Sequence, residues 1–90
     1  MTIIEINGAE FEIDSFGQIH NIESIQEVES IIDLEEGIDW KNSDGMIVAH
    51  GKVYKIKNSD NREWDAVSEN TGTGEIYLCN FDSEMALNEL

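Results

Sequence analysis

Carboxylates are the most abundant reactive groups in this chain, with twenty Asp and Glu against five Lys and Arg. Two carboxyl groups work as acid and base only where burial or close neighbours push their pKa values apart. Here they fall on outward-facing positions of amphipathic segments, so they read as a solvated face rather than a catalytic dyad. Metal chemistry finds little better support. His20 and His50 stand thirty residues apart in different connecting segments and Cys79 is the single cysteine, so the ligand spacing of a zinc site is missing. Each histidine reads as a surface or turn residue. The stretch from Asp39 to Gly51 invites comparison with a calcium loop. With Gly45 at the glycine position, however, Trp40 and Gly51 occupy the first and last ligand positions, where carboxylates are required. The run Asn70 to Gly74, NTGTG, precedes a strand rather than a helix, and so reads as a hairpin loop instead of a phosphate cradle. No cofactor, no metal and no catalytic residue are expected; the chain is read as a non-enzyme.

The cations are few and clustered. Lys52, Lys55, Lys57 and Arg62 lie close together with Tyr54 among them, a pattern with which a strand can contact phosphate and a base. The favoured reading is that they pair with neighbouring acids and relieve part of the repulsion within the fold. Trp40 and Trp64 are candidate interface anchors, with core packing the favoured role of each.

The elements that must position these groups follow from apolar period and turn chemistry. Met1 to Asp14 predicts a β-hairpin, because Asn7-Gly8 supplies the positive φ values of a type I′ turn between two alternating runs. In that register Ile6 faces Ala9, Ile4 faces Phe11 and Thr2 faces Ile13, while Glu5 stands opposite Glu10 on the other face, with Ile3, Glu12 and Asp14. The segment 15–20 is a connection in which Gly17 allows a bend and Phe16 and Ile19 fold back. Ile22, Ile25, Val28, Ile31 and Ile32 share one arc at 100° per residue, which predicts an amphipathic helix over 22–36. Asn21 or Ser24 caps its start, the latter in a capping box with Glu27, and Gly37 ends it. Glu23, Glu27 and Asp33 fall on the opposite arc, with Gln26 and Ser30 between them, and the stretch as a whole carries Glu23, Glu27, Glu29, Asp33, Glu35 and Glu36 without a single Lys or Arg. Glu23 with Glu27 and Glu29 with Asp33 are then like-charge pairs four residues apart, each costing about 0.2–0.5 kcal/mol on a helix.

Beyond the helix, Trp40 anchors a loop or short strand that ends in a turn at Ser43-Asp44-Gly45. Met46 to Lys57 predicts a second hairpin with His50-Gly51 at its tip. Ile47, Ala49, Tyr54 and Ile56 share one face of it, and Val48, Val53, Lys55 and Lys57 the other. Strands are expected over 62–68, carrying Trp64, and over 75–81, the latter apolar on both sides and so central. The last nine residues, DSEMALNEL, form a short helical turn, with Met85 and Leu87 packing back, or fray. The order ββαββββ specifies an α+β fold: a mostly antiparallel sheet with one amphipathic helix packed on one face. Ninety residues make one compact domain, 1–90.

Charge is the strongest global signal, at −15 overall. Residues 1–40 hold eleven acids and no base, residues 41–62 five bases and two acids, and residues 63–90 seven acids and no base. Such a surface repels nucleic acid and anionic membrane and attracts basic protein surfaces in a salt-dependent way. The lack of a basic start, of a long apolar segment and of a second cysteine leads to the expectation of a cytoplasmic protein.

In size, charge and architecture the chain resembles the small acidic phage-type inhibitors that mimic DNA, of the anti-CRISPR, anti-restriction and uracil-glycosylase-inhibitor kinds. Glu5, Glu10, Glu12 and Asp14 on the hairpin and Glu23, Glu27, Glu29, Asp33, Glu35 and Glu36 on the helix carry that resemblance. It implies a non-enzymatic inhibitor of a basic nucleic-acid-binding protein, such as a CRISPR effector or another defence nuclease, acting in the host-cell cytoplasm if phage-encoded. Carboxylates would occupy the places of phosphates. The expected partner-binding set is Glu5, Glu10, Glu12, Asp14, Glu23, Glu27, Glu29, Asp33 and Glu36. The alternatives are an immunity protein for a nuclease toxin and an acidic structural or assembly subunit.

Overall fold

Asn7 and Gly8 adopt φ values of 50° and 86°, the two successive left-handed conformations of a type I′ turn, which Asn and Gly supply at least cost. The turn joins β1 (Thr2–Ile6) to β2 (Ala9–Ile13) in the register expected, with Ile6 opposite Ala9, Ile4 opposite Phe11 and Glu5 opposite Glu10. Period-two alternation buries Ile6, Phe11 and Ile13 and leaves Ile3, Glu5, Glu10 and Glu12 in solvent. The structure, a computed structural model, describes residues 1–41 and 47–82, and for residues 40, 41 and 47–50 the backbone alone.

After the hairpin come α1 (Ile25–Glu29), β3 (Ile38–Lys41), β4 (Ile47–Lys55), β5 (Ala66–Asn70) and β6 (Ile76–Cys79). The protein is therefore α+β in the order ββαββββ. Its strands form a two-stranded and a four-stranded antiparallel sheet, the latter ordered β3-β4-β5-β6. Among the described residues no helix is long and apolar enough to cross a membrane.

The helix is shorter than its apolar period predicts. Ile25 and Val28 are buried from α1, while Ile22 and Ile32 are buried from flanking turns and Ile31 is half exposed. Two forces end it early. Acids follow one another from Glu29 to Glu36 at what would be the negative end of the helix dipole. The chain also has an alternative use for its backbone groups. The Lys57 N–H donates to Asp33 O at 2.9 Å, the Glu35 N–H donates to Lys55 O at 2.8 Å, and Leu34 bridges Ile56. Gly37 is not a helix cap. It passes so near Tyr54 that a Cβ would stand 2.5 Å from the phenol ring. Ser24 is the N-cap, but its side chain makes no capping bond, and the Glu27 carboxylate accepts from the Glu23 N–H at 3.0 Å instead.

Three strand assignments also change. The stretch read as a hairpin with its tip at His50-Gly51 is part of the continuous β4, where Gly51 lies opposite Asn70. β3 pairs with Ile47, Lys52 and Val53 and β5 with Gly51 to Lys55, so the strand runs on through His50-Gly51 without a turn. The strand expected from Arg62 starts at Ala66, because the Asn61 side-chain oxygen accepts from the N–H groups of Glu63 and Trp64, both at 3.0 Å, and holds a turn there. β6, expected to be central, lies at the edge of its sheet.

That edge is covered all the same. Leu78 N–H donates to Gly17 O at 2.8 Å and Ile19 N–H to Ile76 O at 2.9 Å. On its other side the same segment meets β2, with His20 N–H donating to Glu12 O at 2.8 Å and Asp14 N–H to Gln18 O at 3.2 Å. Residues 17–20 are thus a strap that joins the two sheets edge to edge. Gly17 is required in it: its φ is +86°, and a Cβ would lie 2.8 Å from Leu78 O.

The main core gathers Ile6, Phe11 and Ile13 from the hairpin, Ile19 from the strap, Ile25 and Val28 from α1, and Ile56, Val67, Ile76 and Leu78 from the second sheet, with Trp64 partly buried against it. A smaller cluster of Val53, Ala66 and Cys79, with Phe81 against it, occupies the opposite face of the second sheet. The Trp40 side chain, the turn at 43–45 and the packing of Met85 and Leu87 lie outside the described residues.

Candidate functional site

Strand alternation sends Glu5, Glu10 and Glu12 away from the core, and all three are exposed, Glu5 and Glu10 directly across from each other. Asp14 differs from them. One carboxylate oxygen accepts from the Phe16 N–H at 2.8 Å and the Gln18 N–H at 3.1 Å, and the other meets His20 Nε2 at 2.8 Å. The His20 bond first, and then the backbone donors, outweigh burial and hold this carboxyl below its ordinary value. Asp14 thus organises the turn that launches the strap. His20 is exposed, as a surface or turn residue should be, and is the partner of Asp14.

Around the helix, Glu23, Glu27, Glu29, Asp33, Glu35 and Glu36 are all exposed. The short α1 does not hold both members of either like-charge pair expected along it. Glu23 precedes the helix and gives its N–H to Glu27, while Asp33 follows its end. What persists is a run of carboxylates around a single helical turn.

Asn21 ties the two acidic groups together. Its side-chain oxygen accepts from the Glu12 N–H at 3.0 Å and its amide donates to Glu10 O at 3.0 Å, as a neighbouring strand would. Glu23 follows two residues later, so the chain enters the helix from the β2 edge of the hairpin. At the other end of the helix, Asn7 of the hairpin turn joins Glu29 and Asp33 in lining a pocket of about 270 Å³. The hairpin and helix also share one core. The acids of both groups are exposed outside that core.

Cations offset little of this. Among the described residues the ion pairs are His20–Asp14 at 2.8 Å and Lys52–Asp39 at 3.0 Å, the second joining cross-strand partners on β4 and β3. Lys55 stands over the Phe81 ring, 5.7 Å from its centroid. Lys57 and Arg62 are exposed. The expected pairing of bases with acids is thus seen at Lys52, and the carboxylates of residues 5–12 and 23–36 have no Lys or Arg within ion-pair distance among the described residues.

A cleft of about 250 Å³ is lined by the buried Ile19, Ile22 and Ile76 together with His20, Glu23 and Glu75. Sequence reading misses Glu75 and Glu69, both tied to tyrosines. Tyr77 donates to Glu75, and that bond, with burial second, pushes its phenol up to about 12. Tyr54 donates to Glu69 at 3.3 Å, and burial first, then the Glu69 charge, raises it. The available signal was positional: Glu75 and Tyr77 are two apart on an extended chain and so point the same way. Among the described residues no three His, Cys, Asp or Glu side chains are grouped to hold a metal ion.

The site thus offers many carboxylate acceptors on a hairpin and a short helix, with cationic groups as their natural complement. Comparison of the chain with family models, with curated proteins and with solved structures finds no match in any of the three.

Proposed function

We propose that this protein is a non-enzymatic inhibitor that binds a basic nucleic-acid-binding protein, such as a CRISPR effector or another defence nuclease, and so denies it DNA or RNA. The reading rests on one observation: the exposed carboxylates at residues 5–12 and 23–36 lack compensating cations, to the point that Glu5 and Glu10 face each other across a hairpin. Carboxylates so placed can form charge-assisted pairs with the Arg and Lys that normally track phosphates. Glu5, Glu10, Glu12, Glu23, Glu27, Glu29, Asp33 and Glu36 contribute through their side chains, while Asp14 acts mainly by shaping the turn. The test is capture of host proteins on the immobilised chain at low salt, followed by elution with duplex DNA. Retention of a nucleic-acid-binding protein that DNA displaces supports the reading, whereas retained proteins that DNA leaves in place defeat it.

A further inference from the structure

Backbone hydrogen bonds in the hairpin leave one edge unused. With a two-residue turn, Ile6–Ala9 and Ile4–Phe11 are the hydrogen-bonded pairs, so on β2 the N–H and C=O groups of Glu10 and Glu12 point outward. The structure satisfies Glu12 N–H and Glu10 O with Asn21, and Glu12 O with the His20 N–H. On β1 the outward groups are those of Ile3 and Glu5. The Asn7 N–H, next in the same row, is taken by Asp60 Oδ1 at 2.9 Å. Among the described residues nothing takes those of Ile3 and Glu5, and β1 pairs with β2 alone. Of the usual protections of an open edge, β1 has no Lys, no Pro and no bulge; its guard is negative charge, at Glu5, which does not oppose a basic strand, and Ile3 is 58% exposed.

We infer that the outer edge of β1 is a docking site for an extended basic segment of the partner, which adds to the hairpin as a further strand. The inference rests on the proposed function for the partner's charge, and on the backbone for the mode of binding. An added strand places its outward side chains beside Ile3 and Glu5, next to Glu10 and Glu12, where Lys or Arg is favoured. A second copy of this chain suits the edge poorly, since it would bring its own Glu5 and a net charge of −15 to the same place.

The probe is a synthetic peptide of alternating Lys and Val, with a second version N-methylated on the backbone positions that would face β1. Amide hydrogen exchange of the full chain, read by NMR, should slow at least tenfold at Ile3 and Glu5 when the first peptide is added, and stay unchanged with the second. Ile3→Pro removes one outward N–H while leaving the β1–β2 ladder intact, and should weaken peptide binding at least tenfold with the hairpin signals preserved. Equal binding of both peptides, protection spread over the acidic surface, or Ile3 and Glu5 amides already protected in the free chain would overturn the inference. So would DNA-displaceable capture of a host protein that Ile3→Pro leaves unchanged, an outcome in which the acidic-surface reading survives alone.

Discussion

Replacing Glu10 by Lys should stabilise the protein, and the size of the gain follows from the hairpin register. Glu10 lies directly opposite Glu5, and cross-strand Cβ atoms are about 5 Å apart. Two unit charges at that distance interact by about 0.8 kcal/mol in the dielectric of water. E10K exchanges repulsion for attraction, the arrangement that Asp39 and Lys52 already adopt at 3.0 Å between β3 and β4. After allowance for solvent exposure and side-chain freedom the net gain is about 1 kcal/mol, which in a domain of this size raises Tm by about 4–8 °C. Glu10→Gln, which only removes the repulsion, should give roughly half of that gain. The assay is thermal unfolding followed by circular dichroism at low salt and again in 1 M NaCl, where a Debye length of about 3 Å should cut the gain to roughly a fifth. The bonds that Asn21 makes to this part of β2 use backbone atoms, so the substitution leaves them in place. A Tm that does not rise at low salt, or a rise of equal size in both salts, would refute the electrostatic reasoning.

Three further outcomes are expected. Phe11 is fully buried in the main core, so Phe11→Ala should lower stability by about 3–5 kcal/mol, measured by urea unfolding; a loss below 1 kcal/mol would mean that the core is not packed around it. Gly17→Ala combines a positive φ with a Cβ 2.8 Å from Leu78 O and should cost at least about 1–2 kcal/mol, with faster amide exchange at Leu78 as the local readout. The Asp14 carboxyl is held below its ordinary 3.8 by His20 and two backbone donors, so its contribution is complete above 3.8 and is lost as pH falls through the lower, folded value. The urea midpoint should therefore drop more steeply on acidification in the wild type than in Asp14→Asn, and identical acid profiles would remove Asp14 from the account.

How much of this was legible in the sequence depended on whether local chemistry left the chain one choice or two. Asn7-Gly8 left one. Two positive φ values in succession pin the turn, the turn pins the register, and the register assigns every side chain of β1 and β2 to its face. The helix left two. Ile22, Ile25, Val28 and Ile32 are buried at helical spacing, but the same spacing is met by one helical turn between irregular flanks. What decided against a longer helix was a partner distant in sequence, the backbone at Lys55 and Lys57. Gly51 shows the same limit from the other side, since a glycine beside a histidine reads as a turn until Asn70 of β5, distant in sequence, stands opposite it. For the candidate site, the exposure of the acids was legible from alternation. The tie between hairpin and helix start was not, because it depends on the side chain of Asn21 standing in for a strand.

The strap has a consequence in time as well as in space. The β1–β2 hairpin is local and can close within about 1–10 μs. The strap must find residues such as Leu78, which lies sixty-one positions beyond Gly17, and contacts of such long range form slowly. Until it seats, β2 and β6 both lack the neighbour that covers their edges in the finished structure, and open edges invite pairing between unfinished chains. Throughout that interval a net charge of −15 keeps the chains apart. The acidity that costs the folded hairpin stability thus guards the folding chain, and refolding in high salt, where that guard is screened, should lose material to aggregation.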